Sequence, residues 1–427
     1  MRHRSNYLKF QAWFLASWII VGTIFAQNFR TVKPETVGMS SKRLDLLTQQ
    51  LNAYVSDKQL SGGVALVLRK GKAAYFHAFG HRDVTTQDQM KKDDIFRIAS
   101  QSKALISVGI MILQERGQLL IQDPVDKYIP AFNQTTVAEV SPKDGYNIVD
   151  SRRKITLRDL LTHTAGISYG WGPAKDKWEE AKIQGWYFAF RDEPILETVK
   201  RIARLPMDAH PGEKFVYGYN TDILGAVIEV VSGQPLDEFL QYEIIKPLKM
   251  VDTHFYLPQK KSERLATVYS STENGIKKAP DPGMATGQGH YIDGPRKSFS
   301  GGAGLLSTAE DYATFLQMML NGGEMGQTRI LSRKSVELMT VDHISNIDFP
   351  WNNGVGFGLG FSILKDVGSR GTPGTVGEYG WGGAYHSTYW VDPVEELVVV
   401  YFTQLIPANG MNDHAKLRTL VYQAIID

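Results

Sequence analysis

Two serines in this chain stand in patterns that could make them nucleophiles. The first is Ser100, in "FRIASQSKALISVGIMILQERG", where Ser100-Gln101-Ser102-Lys103 sets a hydroxyl and an amine three residues apart. Residues i and i+3 of a helix share a face. Ser100 at the helix start and Lys103 one turn in can therefore form a nucleophile and its proton partner, with the lysine accepting or relaying the serine proton. Alone, the pattern reads equally as a capping serine followed by a solvated lysine. The second is Ser168, in "GISYG" from Gly166 to Gly170, which has the Gly-x-Ser-x-Gly spacing of a nucleophile elbow. An elbow needs a strand before the serine and a helix after it. Here Ile155, Leu157, Leu160 and Leu161 give a helical spacing before it, and "YGWGPAKDKW" puts two glycines and a proline after it. His414 could close a Ser-Asp-His order, but both flanks oppose the elbow. Ser100 is the better nucleophile, and "GISYG" reads as a loop that approaches the pocket through Tyr169 and Trp171.

Further residues complete a hydrolytic set. Tyr217, in "HPGEKFVYGYNTDILGAVIEVVSG", precedes a helix. Trp381-Gly382-Gly383, in "EYGWGGAYHSTYWVDP", stands at an apolar strand. Glycines there let a substrate lie against the strand edge, whose backbone N–H groups could hold an oxyanion. His386 reads as a strand side chain facing solvent or core. The aromatic loops "SYGWGPAKDKW", "GWYFAF" and "DFPWNNGVGFGLGF" line an acyl pocket or form a satellite core. The ten histidines show no metal-ligand spacing, so neither a metal nor a cofactor is expected.

The elements that position these residues give an α+β pattern. "SSKRLDLLTQQLNAYVSD" has apolar residues at Leu44, Leu47, Leu51 and Tyr54 and reads as an amphipathic helix. "GGVALVLRKGKAAYFHAFG" near the start and "STYWVDPVEELVVVYFTQ" near the end each read as two strands around a turn, and "MNDHAKLRTLVYQAII" as a last helix. Helical patterns closed by glycine fill the middle, and 253–300 reads as loop. The expectation is an antiparallel sheet formed by both chain ends (about 27–98 and 355–427), with a helical region inserted between them (about 99–354).

Composition sets further bounds. The chain has 427 residues, 43% hydrophobic and 22% charged, which is ordinary for a globular protein. Its start is distinctive: Arg2, Arg4 and Lys9 precede the apolar run Ala12 to Ala26. That order predicts a secretory signal peptide over residues 1–26, the alternative being an uncleaved anchor. Without its three basic residues, 47 basic and 45 acidic become 44 and 45, a formal charge of −1. Such a surface suggests neither nucleic acid nor an anionic membrane as partner. The absence of cysteine excludes disulfides and thiolate chemistry.

Taken together, "SQSK", Tyr217, "WGG", "ITLRDLLTHTAGI", "DPVDKYIPAF" and "SGGAGLLSTAEDYATFLQMML" resemble the serine β-lactamase and penicillin-binding-protein family. The similarity is strongest to the class C β-lactamase-related branch with its carboxylesterases and D-amino peptidases. It runs from "KPETVGMSSKRLDLL" to "LVVVYFTQ". The resemblance implies that Ser100 is acylated, Lys103 is its proton partner and Tyr217 is the general base and then acid. It implies an oxyanion hole from the backbone N–H of Ser100 and Ala384, and substrate contacts by Tyr219, Trp381, Gly382 and Gly383. Tyr219 stands where the family has Asn, and Trp381 where it has Lys, so the groups that receive a β-lactam amide and carboxylate are missing. The expected activity is that of an exported, periplasmic serine hydrolase on small-molecule esters, without a stable membrane span once the leader is gone. D-amino peptide or weak β-lactam hydrolysis at the same site is the alternative. A non-catalytic muropeptide- or partner-binding protein on this scaffold is a third reading, opposed by the intact Ser100, Lys103 and Tyr217.

Overall fold

"GGVALVLR" and "LVVVYF" become neighbouring strands at the centre of the molecule. In a computed structural model that describes residues 29–142, 145–351 and 353–427, Gly62–Arg69 pairs antiparallel with Leu397–Phe402, with Val64 opposite Phe402 and Arg69 opposite Leu397. The eight-stranded sheet runs Val355–Phe357, Ser362–Leu364, Tyr379–Gly383, Ser387–Asp392, Leu397–Phe402, Gly62–Arg69, Lys72–Asp83, Asp88–Gln89, antiparallel throughout. Both chain ends build it, as the α+β reading requires. The expected signal peptide lies outside the described residues, among which no helix is long and apolar enough to cross a membrane.

The central strands show no polar alternation because both faces of the sheet are covered. Val64, Leu66, Leu68, Val398, Val400 and Phe402 join the main core on one face. Ala65, Val67, Leu397, Val399 and Tyr401 meet the opposite face's core. That second core is closed by the first helix, Ser41–Ser56, and the last, Asp413–Tyr422. Leu44, Leu47, Leu51 and Tyr54 form the buried stripe of the first helix, and Ser40 caps it by accepting from the Arg43 N–H.

The main core is built round the helix Ser102–Glu115, which is buried from Ser102 through Leu113. A helix apolar all round belongs in an interior. It packs on Asn220–Ser232, the helix that follows Tyr217. Their approach is set at Gly109, where a Cβ would lie 2.9 Å from Ile228 Cδ1 and 3.2 Å from Phe239 Cε1. The stretch 253–300, expected as loop, holds a hairpin of Tyr269–Thr272 with Gly275–Lys278. It is short, and Tyr269 alone of its strand residues is buried, so no buried face marks it in the sequence.

Gly109→Val should force these helices apart. Overpacking of this kind costs about 1–3 kcal/mol. We expect a lower urea midpoint with an unchanged m-value; unaltered stability would show that the helices do not meet this closely.

Candidate active site

Ser100 lies in a 3₁₀ turn, Ala99–Gln101, that runs straight into the helix Ser102–Glu115. Ala99 has φ +43°, the left-handed region that a residue with a side chain seldom adopts. Such a conformation persists only where the surroundings enforce it. Here they do. Gln101 donates to Ser387 Oγ at 3.0 Å, the Tyr312 hydroxyl donates to the Gln101 carbonyl at 2.9 Å, and the Leu305 N–H donates to Ser102 Oγ at 3.0 Å. Groups from a strand, a helix and a loop thus hold the turn.

Lys103 is not solvated; it is 2% exposed. Its Nζ donates to the Gly302 carbonyl at 2.7 Å, to the Tyr169 hydroxyl at 3.1 Å and to Ser100 Oγ at 3.4 Å. Those three contacts match the three N–H groups of an ammonium. Asp222 lies behind the same backbone: its Oδ1 accepts from Gly302 N–H at 3.0 Å and from Ser300 Oγ at 2.6 Å. Burial pushes the Asp222 carboxyl up, and the Lys103 charge partly offsets this.

Lys103 Nζ also stands 4.6 Å from the centre of the Tyr217 ring. The Tyr217 oxygen accepts from Trp381 Nε1 at 3.0 Å. An indole N–H only donates, so the phenol's own proton is free for another partner. Rings of His163, Trp351 and Trp381 surround Tyr217, with centroids 4.6, 5.1 and 5.5 Å away. His163 is fully buried, and burial, helped by the Lys103 charge, holds its ionisation well below the usual histidine range. Asn220 Nδ2 shares its two hydrogens among three acceptors, His163 Nδ1 at 2.9 Å and the carbonyls of Ile167 and Val216, each at 3.1 Å. The start of the helix after Tyr217 is thereby tied to the "GISYG" loop.

Ser100, Tyr217, Trp381, Gly382, Gly383 and Ala384 line one cleft of about 730 Å³. Trp381-Gly382-Gly383 ends the strand Tyr379–Gly383 rather than opening the next one. A Cβ on Gly383 would come within 2.5 Å of the Ile98 carbonyl, so glycine lets this strand lie against the turn that carries Ser100. Ala384 follows at once and is exposed on the cleft wall.

Tyr219, expected to touch substrate, does not line the cleft. It is fully buried, stacks on Trp178 with centroids 5.7 Å apart, and donates to the Gly185 carbonyl at 2.6 Å. At the head of its helix it turns into the core, beneath Tyr169. Ser168 accepts from the Gly170 N–H at 3.1 Å within its own loop. His414, its possible partner in a triad, instead stacks on His386. "GISYG" contributes Tyr169, whose hydroxyl is the second partner of Lys103 and whose ionisation burial pushes well above the usual range. Sequence reasoning placed that loop near the pocket but gave Tyr169 no partner. Gly166, at φ +83° with the Ala209 carbonyl where a Cβ would go, is the local signal of its tight path.

Asn220→Ala would leave two carbonyls and a buried imidazole nitrogen unpaired. Unsatisfied buried groups cost about 1–3 kcal/mol each. A fall in thermal or urea stability of at least about 1 kcal/mol is expected; wild-type stability would mean that Asn220 does not tie this helix to the loop.

Comparison with known proteins identifies the family of the chain. A family model described as Beta-lactamase matches residues 45–423. An uncharacterised protein of Mycobacterium tuberculosis is 30% identical over 382 residues, covering 84% of this chain and 92% of that protein. Esterase EstB of Burkholderia gladioli is 28% identical over 379 residues, covering 84% and 89%. Among solved structures, EstCE1, a hydrolase with promiscuous acyltransferase activity, matches with a TM-score of 0.77 and 26% identity, over 91% of this chain and 99% of that one. The family match takes in the serine turn, the tyrosine helix and the strand at the cleft, and so the chain belongs to the β-lactamase family and is a serine hydrolase.

Proposed function

We propose that this hydrolase cleaves small-molecule carboxylic esters with an apolar portion, through an acyl-enzyme on Ser100. The observation that carries the reading is the fully paired, buried Lys103 ammonium, 3.4 Å from Ser100 Oγ and over the Tyr217 ring. An aromatic wall supports the apolar preference: Trp351, Phe349 and Trp381 line the cleft. Trp381 also stands where a carboxylate-binding Lys would be needed for β-lactams. It brings an indole whose N–H is spent on Tyr217.

In this reading Tyr217, which accepts from the Trp381 N–H and lies beside Lys103, is the general base. It takes the Ser100 proton as Oγ attacks the ester carbonyl carbon. The oxyanion rests between the backbone N–H groups of Ser100 and Ala384, where aligned donors stabilise the charge that develops. The C–O bond to the alcohol breaks, and that oxygen leaves with the proton from Tyr217. Water then attacks the acyl group by the same path, returning Ser100. The basic, apolar leader supports export to the periplasm, which the mass of the mature chain in a periplasmic fraction would check.

Ser100→Ala should abolish turnover of p-nitrophenyl esters and labelling by a fluorophosphonate. Loss of a general base slows rates by roughly 10²–10⁴, the range expected for Tyr217→Phe. Trp381→Phe keeps the ring but removes one hydrogen bond, worth about 0.5–1.5 kcal/mol, so kcat should fall about tenfold at most. Mass spectrometry should place the label on the Ser100 peptide. A label on Ser168 would sink the assignment, and nitrocefin turned over faster than esters would move the activity to amides.

A further inference from the structure

The same cleft has a group of ligating side chains that ester hydrolysis leaves unused. His386 lies in the turn after Ala384, and Asp413 and His414 open the last helix; both imidazoles line the cleft wall. One donor atom from each of the three lies within 4.8 Å of the others. His386 Nε2 is 2.7 Å from Asp413 Oδ1, and the two imidazoles stack with centroids 4.2 Å apart. Asp413 is 1% exposed, and the Tyr401 hydroxyl donates to its other oxygen at 2.9 Å. The turn itself is held in shape. His386 adopts φ +64°, its N–H donates to the Gly383 carbonyl at 3.0 Å, and its own carbonyl accepts from Thr403 Oγ1 at 2.5 Å.

We propose that His386, Asp413 and His414 bind a divalent ion of the zinc type, with water from the cleft as the remaining ligand. Two imidazoles and a carboxylate with an open position form a set that Zn²⁺ takes, and Ni²⁺ or Co²⁺ can take in its place. Mg²⁺ and Ca²⁺ prefer all-oxygen sets and are excluded. Tetrahedral bonds of about 2.1 Å put ligand atoms roughly 3.4 Å apart. Small side-chain rotations would therefore close the widest pair and open the His386–Asp413 contact. The hydrogen that the His386 ring now shares with Asp413 moves to Nδ1, which frees the Nε2 lone pair for the metal. Tyr401 fixes the carboxylate from behind, the kind of support that keeps a ligand oriented. The ion would sit two residues from Ala384, so its binding restrains the oxyanion turn and slows turnover without touching Ser100.

The test is calorimetric titration of the chelator-dialysed protein with ZnCl₂, alongside the visible spectrum of a Co²⁺ titration. One saturable site per chain is expected, with a Kd on the order of 10 µM or tighter. His414→Ala and His386→Gln should each weaken it at least tenfold and abolish the tetrahedral Co²⁺ bands, with melting temperatures checked so that unfolding is not mistaken for lost binding. Asp413→Asn should act likewise, and Zn²⁺ inhibition of the wild type should disappear in the same variants. No saturable binding below about 100 µM, or a site indifferent to both histidine substitutions, overturns the proposal whether or not the ester activity is found.

Discussion

A buried ammonium is tolerated only when its N–H groups are paired, because taking the charge out of water otherwise costs several kcal/mol. Lys103 meets that condition through Gly302, Tyr169 and Ser100, and much of the molecule is arranged to keep those three in place. Gly302 is held by Asp222 from the tyrosine helix. Tyr169 is held by a loop that Asn220 ties to the same helix. Ser100 is held by a left-handed alanine and by contacts from a strand, a helix and a loop. Moving any one of these elements leaves a charge in the core without its partner.

The same constraint makes the site rigid before substrate arrives. Two close approaches bring its halves together: Gly109 lets the serine helix lie on the tyrosine helix, and Gly383 lets the cleft strand lie on the serine turn. The Trp381 indole crosses from that strand to the Tyr217 hydroxyl. The helical half and the sheet half therefore meet directly at the reacting groups, where electrostatic preorganisation has most effect.

Much of this was legible in the sequence, for physical reasons. Period-two burial on both faces made "GGVALVLR" and "LVVVYF" continuous apolar runs, so the central strands stood out. The serine and lysine are one helical turn apart, a spacing that sequence shows directly. Tyr217 and the "WGG" strand took their roles from family resemblance, and the structure brings both to the cleft. Contacts made by folding distant segments together were hidden. Nothing local distinguishes Tyr219, which turns inward to Gly185, from Tyr169, which reaches Lys103. His386 and His414 are far apart in the chain and meet only because the last helix packs beside the end of the cleft strand. The bland reading of Lys103 as solvated failed because its burial comes from the segment around Gly302, some two hundred residues away.

The pairing of Gly62–Arg69 with Leu397–Phe402 has a consequence for how the molecule is made. The middle of the sheet needs a strand from each end of the chain, so its core cannot close until nearly the whole polypeptide has been synthesised. Such non-local pairing is slow, because the loop-closure entropy is lost before any contact compensates it. Until then Gly62–Arg69 has only Lys72–Asp83 beside it, and the edge that Leu397–Phe402 will cover stays unpaired.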